Sequence, residues 1–132
     1  MKTLEELALP QDLRYTPAHV WLRKEADGSC TVGVSAYAQD RLGEVVYVEL
    51  SEAGRHLEAG EEFGTVESVK SVNALYMPLA GTISECNVAL ADEPSVVNAD
   101  CYGAGWMLRL VPDDPAAMDG LQDAAAYRKT LA

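Results

Sequence analysis

Long apolar runs are missing from these 132 residues. None approaches the ~20 apolar positions that a membrane-spanning helix needs, so no membrane partner is expected. The stretch from Met1 to Pro10 has no apolar core of signal-peptide length and is not rich in Arg and Ser, which predicts a cytoplasmic protein. Cysteine is scarce too. Cys30, Cys86 and Cys101 are odd in number and widely spaced, which suits neither a disulfide framework nor a zinc site and fits a reducing compartment. Positive charge is equally thin: ten Lys and Arg stand against twenty-one Asp and Glu, a formal net charge of −11. Phosphate backbones would be repelled, which argues against a nucleic-acid partner, whereas basic patches on larger enzymes would attract this surface. There is no phosphate-cradling glycine loop, no metal-ligand cluster and no convergent set of acid, base and nucleophile, so the chain does not read as an enzyme. What is present is an ordinary hydrophobic share of 48%, enough for one domain over residues 1–132 with its own core.

Turn chemistry organises that core into short strands. Val20-Trp21-Leu22-Arg23-Lys24 and Cys30-Thr31-Val32-Gly33-Val34 flank Glu25-Ala26-Asp27-Gly28, and Asp-Gly between apolar runs signals a β-hairpin. Thr3 to Leu7 predicts a short helical turn. Ser35 caps an expected helix over Ala36 to Leu42 that Gly43 ends. Glu44 to Leu50 is rich in Val and predicts a strand. Gly64-Thr65-Val66 and Gly81-Thr82-Ile83 echo one another, which suggests two similar halves. Leu90 to Gly105 reads as a polar loop before a strand over Trp106 to Val111. Asp113-Asp114-Pro115 then opens a helical segment to Leu131, broken near Gly120. Short strands with helices at the margins imply a mainly β fold, a sandwich or flattened barrel. Tyr15, Trp21, Tyr47, Tyr76 and Trp106 are expected in its core and rim.

One lysine stands apart. Lys70 lies in Gly64-Thr65-Val66-Glu67-Ser68-Val69-Lys70-Ser71-Val72-Asn73-Ala74-Leu75-Tyr76-Met77-Pro78, a hairpin-like run that displays its amine on a crest stiffened by Val69 and Val72. A lysine in a polar turn is usually a solvated charge; here Glu67, the flanking valines and Tyr76-Met77-Pro78 favour an attachment point.

Glu67-Ser68-Val69-Lys70, followed by Tyr76 and Pro78, resembles the lipoylation site of the glycine cleavage system H proteins. The likeness continues in order through Tyr15-Thr16-Pro17-Ala18-His19-Val20-Trp21, Ala38-Gln39, Leu42-Gly43-Glu44-Val45-Val46, Val97-Asn98 and Tyr102-Gly103-Ala104-Gly105-Trp106-Met107. The resemblance implies a lipoyl-domain-like sandwich, a barrel-sandwich hybrid, with lipoate amide-linked to Lys70 by a lipoate ligase or lipoyl transferase. Glu67, Ser68, Val69, Ser71 and Tyr76 would lie near that site. It also implies a non-catalytic carrier served by glycine decarboxylase, an aminomethyltransferase and dihydrolipoamide dehydrogenase.

Three positions of the expected arm pocket depart from the resemblance. Val20 stands where the family usually has Glu, Tyr37 where it has His, and Ala74 where it has Asp. Carboxylates and other acceptors would shelter a cationic aminomethyl cargo, and all three changes strike one expected pocket. The expectation is therefore a sulfur cargo, as in the related lipoate-binding proteins that serve a heterodisulfide-reductase-like complex in sulfur oxidation, with glycine cleavage as the alternative. His19, Asn98 and Asp100 read as packing or turn residues, and the cysteines as inert.

Overall fold

A computed structural model describes residues 3–131. Among the described residues, nine strands run in the order β1 (Arg14–Tyr15), β2 (Val20–Lys24), β3 (Cys30–Val34), β4 (Val45–Leu50), β5 (His56–Leu57), β6 (Glu62–Ser68), β7 (Val72–Tyr76), β8 (Gly81–Cys86) and β9 (Leu108–Pro112). They form a six-stranded sheet, β1-β2-β3-β9-β8-β5, and a three-stranded sheet, β4-β6-β7. Every pairing is antiparallel. The helices are short: α1 (Ala36–Leu42), α2 (Ala89–Asp92), α3 (Val96–Ala99) and α4 (Ala124–Leu131), with 3₁₀ turns at Leu4–Glu6 and Pro115–Gly120. The expected mainly β sandwich is what the chain adopts, as two sheets and not a closed barrel.

The two sheets share one core. Val32, Ile83, Leu108 and Leu110 of the large sheet pack in a single cluster with Val48, Phe63, Val66 and Leu75 of the small one. Five of these eight, Val32, Phe63, Ile83, Leu108 and Leu110, are 0% exposed. Burying a side chain of this kind is worth roughly 1.5–3 kcal/mol, so the interface between the sheets dominates stability. The Gly64 and Gly81 echo has a physical cause. A side chain at Gly64 would strike the Glu49 carbonyl of β4, and one at Gly81 would strike the Val111 carbonyl of β9. Each sheet thus brings two backbones together at the same kind of position.

A second cluster lies on the outside of β1 and β2. Tyr15, Trp21, Leu9, Leu13, Ala124 and Tyr127 pack together there, with the Tyr15 and Tyr127 rings stacked 4.7 Å apart at 2°. Trp21 donates its indole N–H to Cys101 O at 2.9 Å, and Gly33 leaves the space its ring fills. Of the aromatics expected in core and rim, Tyr47 and Tyr76 lie outside the core, 49% and 43% exposed on the small sheet.

Ser35 accepts from Ala38 N to start α1, and Gly43 ends that helix at φ 74, ψ −154, a region close to glycine-only. The expected polar loop between Leu90 and Gly105 is replaced in part by α2 and α3, single turns anchored by buried Leu90 and Val97. The last strand begins at Leu108 and not Trp106, because Asn87 takes the Ala104 and Trp106 carbonyls with its side-chain amide. The C-terminal segment breaks after Gly120, as its sequence predicts.

Candidate functional site

Lys70 sits at the tip of the β6–β7 hairpin. The last ladder pair is Glu67 with Val72, after which Ser68 N donates to Ser71 O at 2.8 Å. Val69 and Lys70 are the two central residues, and neither has a positive φ. Two-residue hairpins ordinarily rely on Asn-Gly or Gly turns, so this tip needs other support. Ser68 supplies it: its hydroxyl, on a residue only 6% exposed, accepts from Lys70 N at 3.1 Å and Ser71 N at 3.2 Å. Val69 N donates to Glu44 O at 3.0 Å, tying the tip to the start of β4.

That anchoring segment is itself braced from across the molecule. Asn98 on α3 donates to Gly43 O at 2.7 Å and accepts from Val45 N at 2.8 Å. Its amide also donates to Gln39 Oε1 at 3.3 Å. The residues on both sides of Glu44 are thereby fixed. Asn98 therefore positions the lysine tip, a role that local turn chemistry does not reveal because its partners lie more than 50 positions away. Asp100, by contrast, does serve a turn, accepting from Ala104 N. The lysine stem crosses Gly43, where a Cβ would come within 3.1 Å of Lys70 Cε. The amine has no protein partner among the described residues.

Around the tip the surface is apolar and acidic. Val69 and Val72 are 63% and 64% exposed, and Tyr47, Glu67 and Val72 are register neighbours across β4, β6 and β7. Tyr76, expected near the lysine, is at the other end of the hairpin, opposite Glu62. Four residue steps at ~3.4 Å each put it about 14 Å beyond Val72.

A cavity of about 250 Å³ opens beside the hairpin. Val34, Leu42, Val66 and Leu75 give it an apolar floor, and its wall includes His19, Tyr37, Arg41, Ser71, Asn73 and Ala74. Two of the three expected pocket residues, Tyr37 and Ala74, are therefore brought together. The third, Val20, is not: it is 1% exposed, pairs with Val34 and belongs to the main core. Its neighbour His19 faces the cavity instead, at φ 68. The His19 ring lies 4.7 Å from that of Tyr37, and its Nδ1 is 2.7 Å from the Tyr127 hydroxyl. Arg41 lies over the Tyr37 ring at 4.5 Å. No carboxylate lines this cavity among the described residues.

Cys30, Cys86 and Cys101 form no disulfide with one another, and burial pushes the Cys30 and Cys86 thiols up, away from the reactive thiolate. None of the described helices is long and apolar enough to cross a membrane.

A displayed, unpartnered amine on a braced tip beside an apolar-floored cavity fits an aliphatic arm attached at Lys70. The family model described as "Glycine cleavage H-protein" matches residues 13–132. The glycine cleavage system H protein of Halorhodospira halophila is 49% identical over 124 residues, covering 94% of this chain and 95% of that one. That of Myxococcus xanthus is 49% identical over 123 residues, covering 93% and 95%. The crystal structure of a glycine cleavage system H protein from Mycobacterium marinum superposes with a TM-score of 0.84 at 37% identity, covering 93% of this chain and 98% of that one. With the family model and the near-full-length likeness in agreement, the chain belongs to the glycine cleavage H-protein family, non-catalytic carriers that hold lipoate covalently on a lysine.

Proposed function

We propose that this chain is a single-domain cytoplasmic carrier with lipoate amide-linked to Lys70, and that its cargo is the aminomethyl group of glycine. The observation that carries the reading is the tip itself, whose backbone is held by Ser68 and Glu44 and braced by Asn98 while the lysine amine has no partner among the described residues. When bound, lipoate supplies a dithiolane capable of thiol–disulfide exchange. The protein's own part is positional. Ser68 and the Glu44 carbonyl fix the direction in which the lysine stem leaves, and the apolar floor offers the arm a place away from water. Val69, Val72, Tyr47 and Glu67 present an apolar and acidic surface that a lipoate ligase or lipoyl transferase can read. The partners follow from the cargo: glycine decarboxylase to load it, an aminomethyltransferase to remove it, and dihydrolipoamide dehydrogenase to reoxidise the dithiol.

The sequence favours a sulfur cargo and a heterodisulfide-reductase-like partner, and the relatives lend that no support: the named ones are glycine cleavage proteins. The structure also weakens its premise. Val20 lies in the core, so the change there removes nothing from the cavity wall as built. The absence of a lining carboxylate among the described residues is the observation that still favours the sulfur reading as second.

The test is direct. After treatment with lipoate ligase, the intact mass of the protein is expected to rise by one lipoyl amide, and that of Lys70→Arg is expected not to change. The lipoylated form is expected to support glycine–bicarbonate exchange by glycine decarboxylase. Exchange no faster than without the carrier would overturn the glycine reading.

A further inference from the structure

His19 is the one non-glycine residue with positive φ among those described, and such outliers are held only where surrounding structure over-determines them. Here His19 N donates to Thr16 O and Ser35 N donates to His19 O, both at 2.9 Å. The ring is fixed as firmly as the backbone. Nδ1 meets the Tyr127 hydroxyl at 2.7 Å, and that hydroxyl meets Ser35 Oγ at 2.8 Å. Nε2 bonds to no protein group among the described residues, while His19 lines the cavity beside Lys70. Burial holds the imidazole below its ordinary value of 6.5, and the Tyr127 phenol is pushed up to about 12, chiefly by burial. Both are neutral near pH 7.

We propose that His19 is the positioning residue for the polar end of the cargo, with the Ser35–Tyr127–His19 chain setting whether Nε2 accepts or donates. This rests on the carrier reading above. In one direction Ser35 donates to Tyr127, Tyr127 donates to Nδ1, and the ring proton sits on Nε2 as a donor. In the other, Nδ1–H donates to Tyr127, Tyr127 donates to Ser35, and Nε2 offers its lone pair. Passing between them, the Tyr127 and Ser35 hydroxyls rotate, Nδ1 takes a proton from water and Nε2 gives one back to water. No net proton or electron is gained. An ammonium cargo needs an acceptor and selects the second direction; a disulfide, a weak acceptor, selects the first. No carboxylate lines the cavity among the described residues, and its charged lining residue is Arg41. A neutral acceptor is therefore what the cavity offers an ammonium.

The test uses the full chain, lipoylated at Lys70, with isotope-labelled histidine. One sample keeps the arm oxidised; in the other it is reduced and capped with an S-aminoethyl group, which needs no decarboxylase. The His19 tautomer, read by NMR, is expected to be Nε2–H in the first and Nδ1–H in the second. Tyr127→Phe, which can keep its stack on Tyr15, is expected to abolish that difference. His19→Asn, a residue type that tolerates positive φ, is expected to lower occupancy of the cavity by the aminoethyl arm roughly tenfold, the size of one hydrogen bond to a charge. The same tautomer with both arms, or an Asn variant that holds the arm as well as the parent, overturns the proposal. If glycine decarboxylase cannot load the parent protein while the aminoethyl arm still switches His19, the relay stands and the glycine reading falls. If loading is normal while the tautomer stays fixed, the glycine reading stands and the relay falls.

Discussion

Two hairpins of this protein solve the same problem in opposite ways. The β2–β3 hairpin turns through its own residues: Gly28 adopts φ 87, Gly28 N donates to Glu25 O, and Asp27 accepts from Ser29 N. A Cβ at Gly28 would meet nothing within 4 Å, so that turn leans on no distant element. The β6–β7 hairpin has no glycine at its tip, and Lys70 is held through Ser68, the Glu44 carbonyl and, one layer further out, Asn98 on α3. A structural turn can be local. A turn that must aim an amine is tied to the rest of the fold.

Breaking the second arrangement is expected to cost most at Gly43. Gly43→Ala forces a side chain into a region near glycine-only and against the Lys70 stem, for a loss of about 3 kcal/mol. Urea unfolding measures that loss, and lipoylation by a ligase should slow as the stem is displaced. Asn98→Ala comes next. It leaves Gly43 O and Val45 N without their partner, a loss of roughly 2 kcal/mol, with faster amide exchange at Val69 as the sign that the tip has loosened. Gly28→Ala sharpens the contrast. Left-handed strain should cost about 1 kcal/mol, yet the rate of lipoylation should equal the parent's, because nothing links that turn to Lys70.

The smallest effect is in pH dependence, where two histidines oppose one another. Burial lowers the His19 pKa, so the unfolded chain binds that proton more readily and stability falls as pH drops below about 6.5. The Asp113 carboxylate, 2.6 Å away, raises the His56 pKa. Its contribution is therefore full below about 6.5 and is lost as pH rises through the folded value. Denaturation curves across about pH 5 to 8 should show His19→Asn flattening the acid side and His56→Ala the neutral side. The reverse pattern would show that the two rings are misassigned.

Local signals were strongest where one residue type has one physical use. Asp27-Gly28, the Ser35 cap and the Gly43 stop each appear at their expected positions, because positive φ and capping are local demands. Leu90 and Val97 misled for the opposite reason: isolated apolar residues in a polar stretch look like loop, yet both are buried and seed helical turns. Around the site, Lys70 was legible from its neighbours in sequence, whereas Val20 was misplaced by one residue. Strand alternation sends it to the core and leaves His19 at the cavity. Tyr76 seemed close to Lys70 because a count of six residues hides the length of an extended strand.

The sequence by itself determined that a lysine would be displayed on a β-hairpin of a lipoyl-carrier sandwich, since turn residues, valines and ordered motifs are properties of the chain. Only the tertiary structure decided what surrounds that lysine. Gly43 and Glu44 meet the tip, Asn98 braces them, and His19, Tyr127 and Ser35 meet one another beside the cavity, across 16 to 108 positions of sequence. Hydrogen bonds of that span have no periodicity or local propensity to announce them; they exist because packing the two sheets and α4 around shared cores brings those groups within reach.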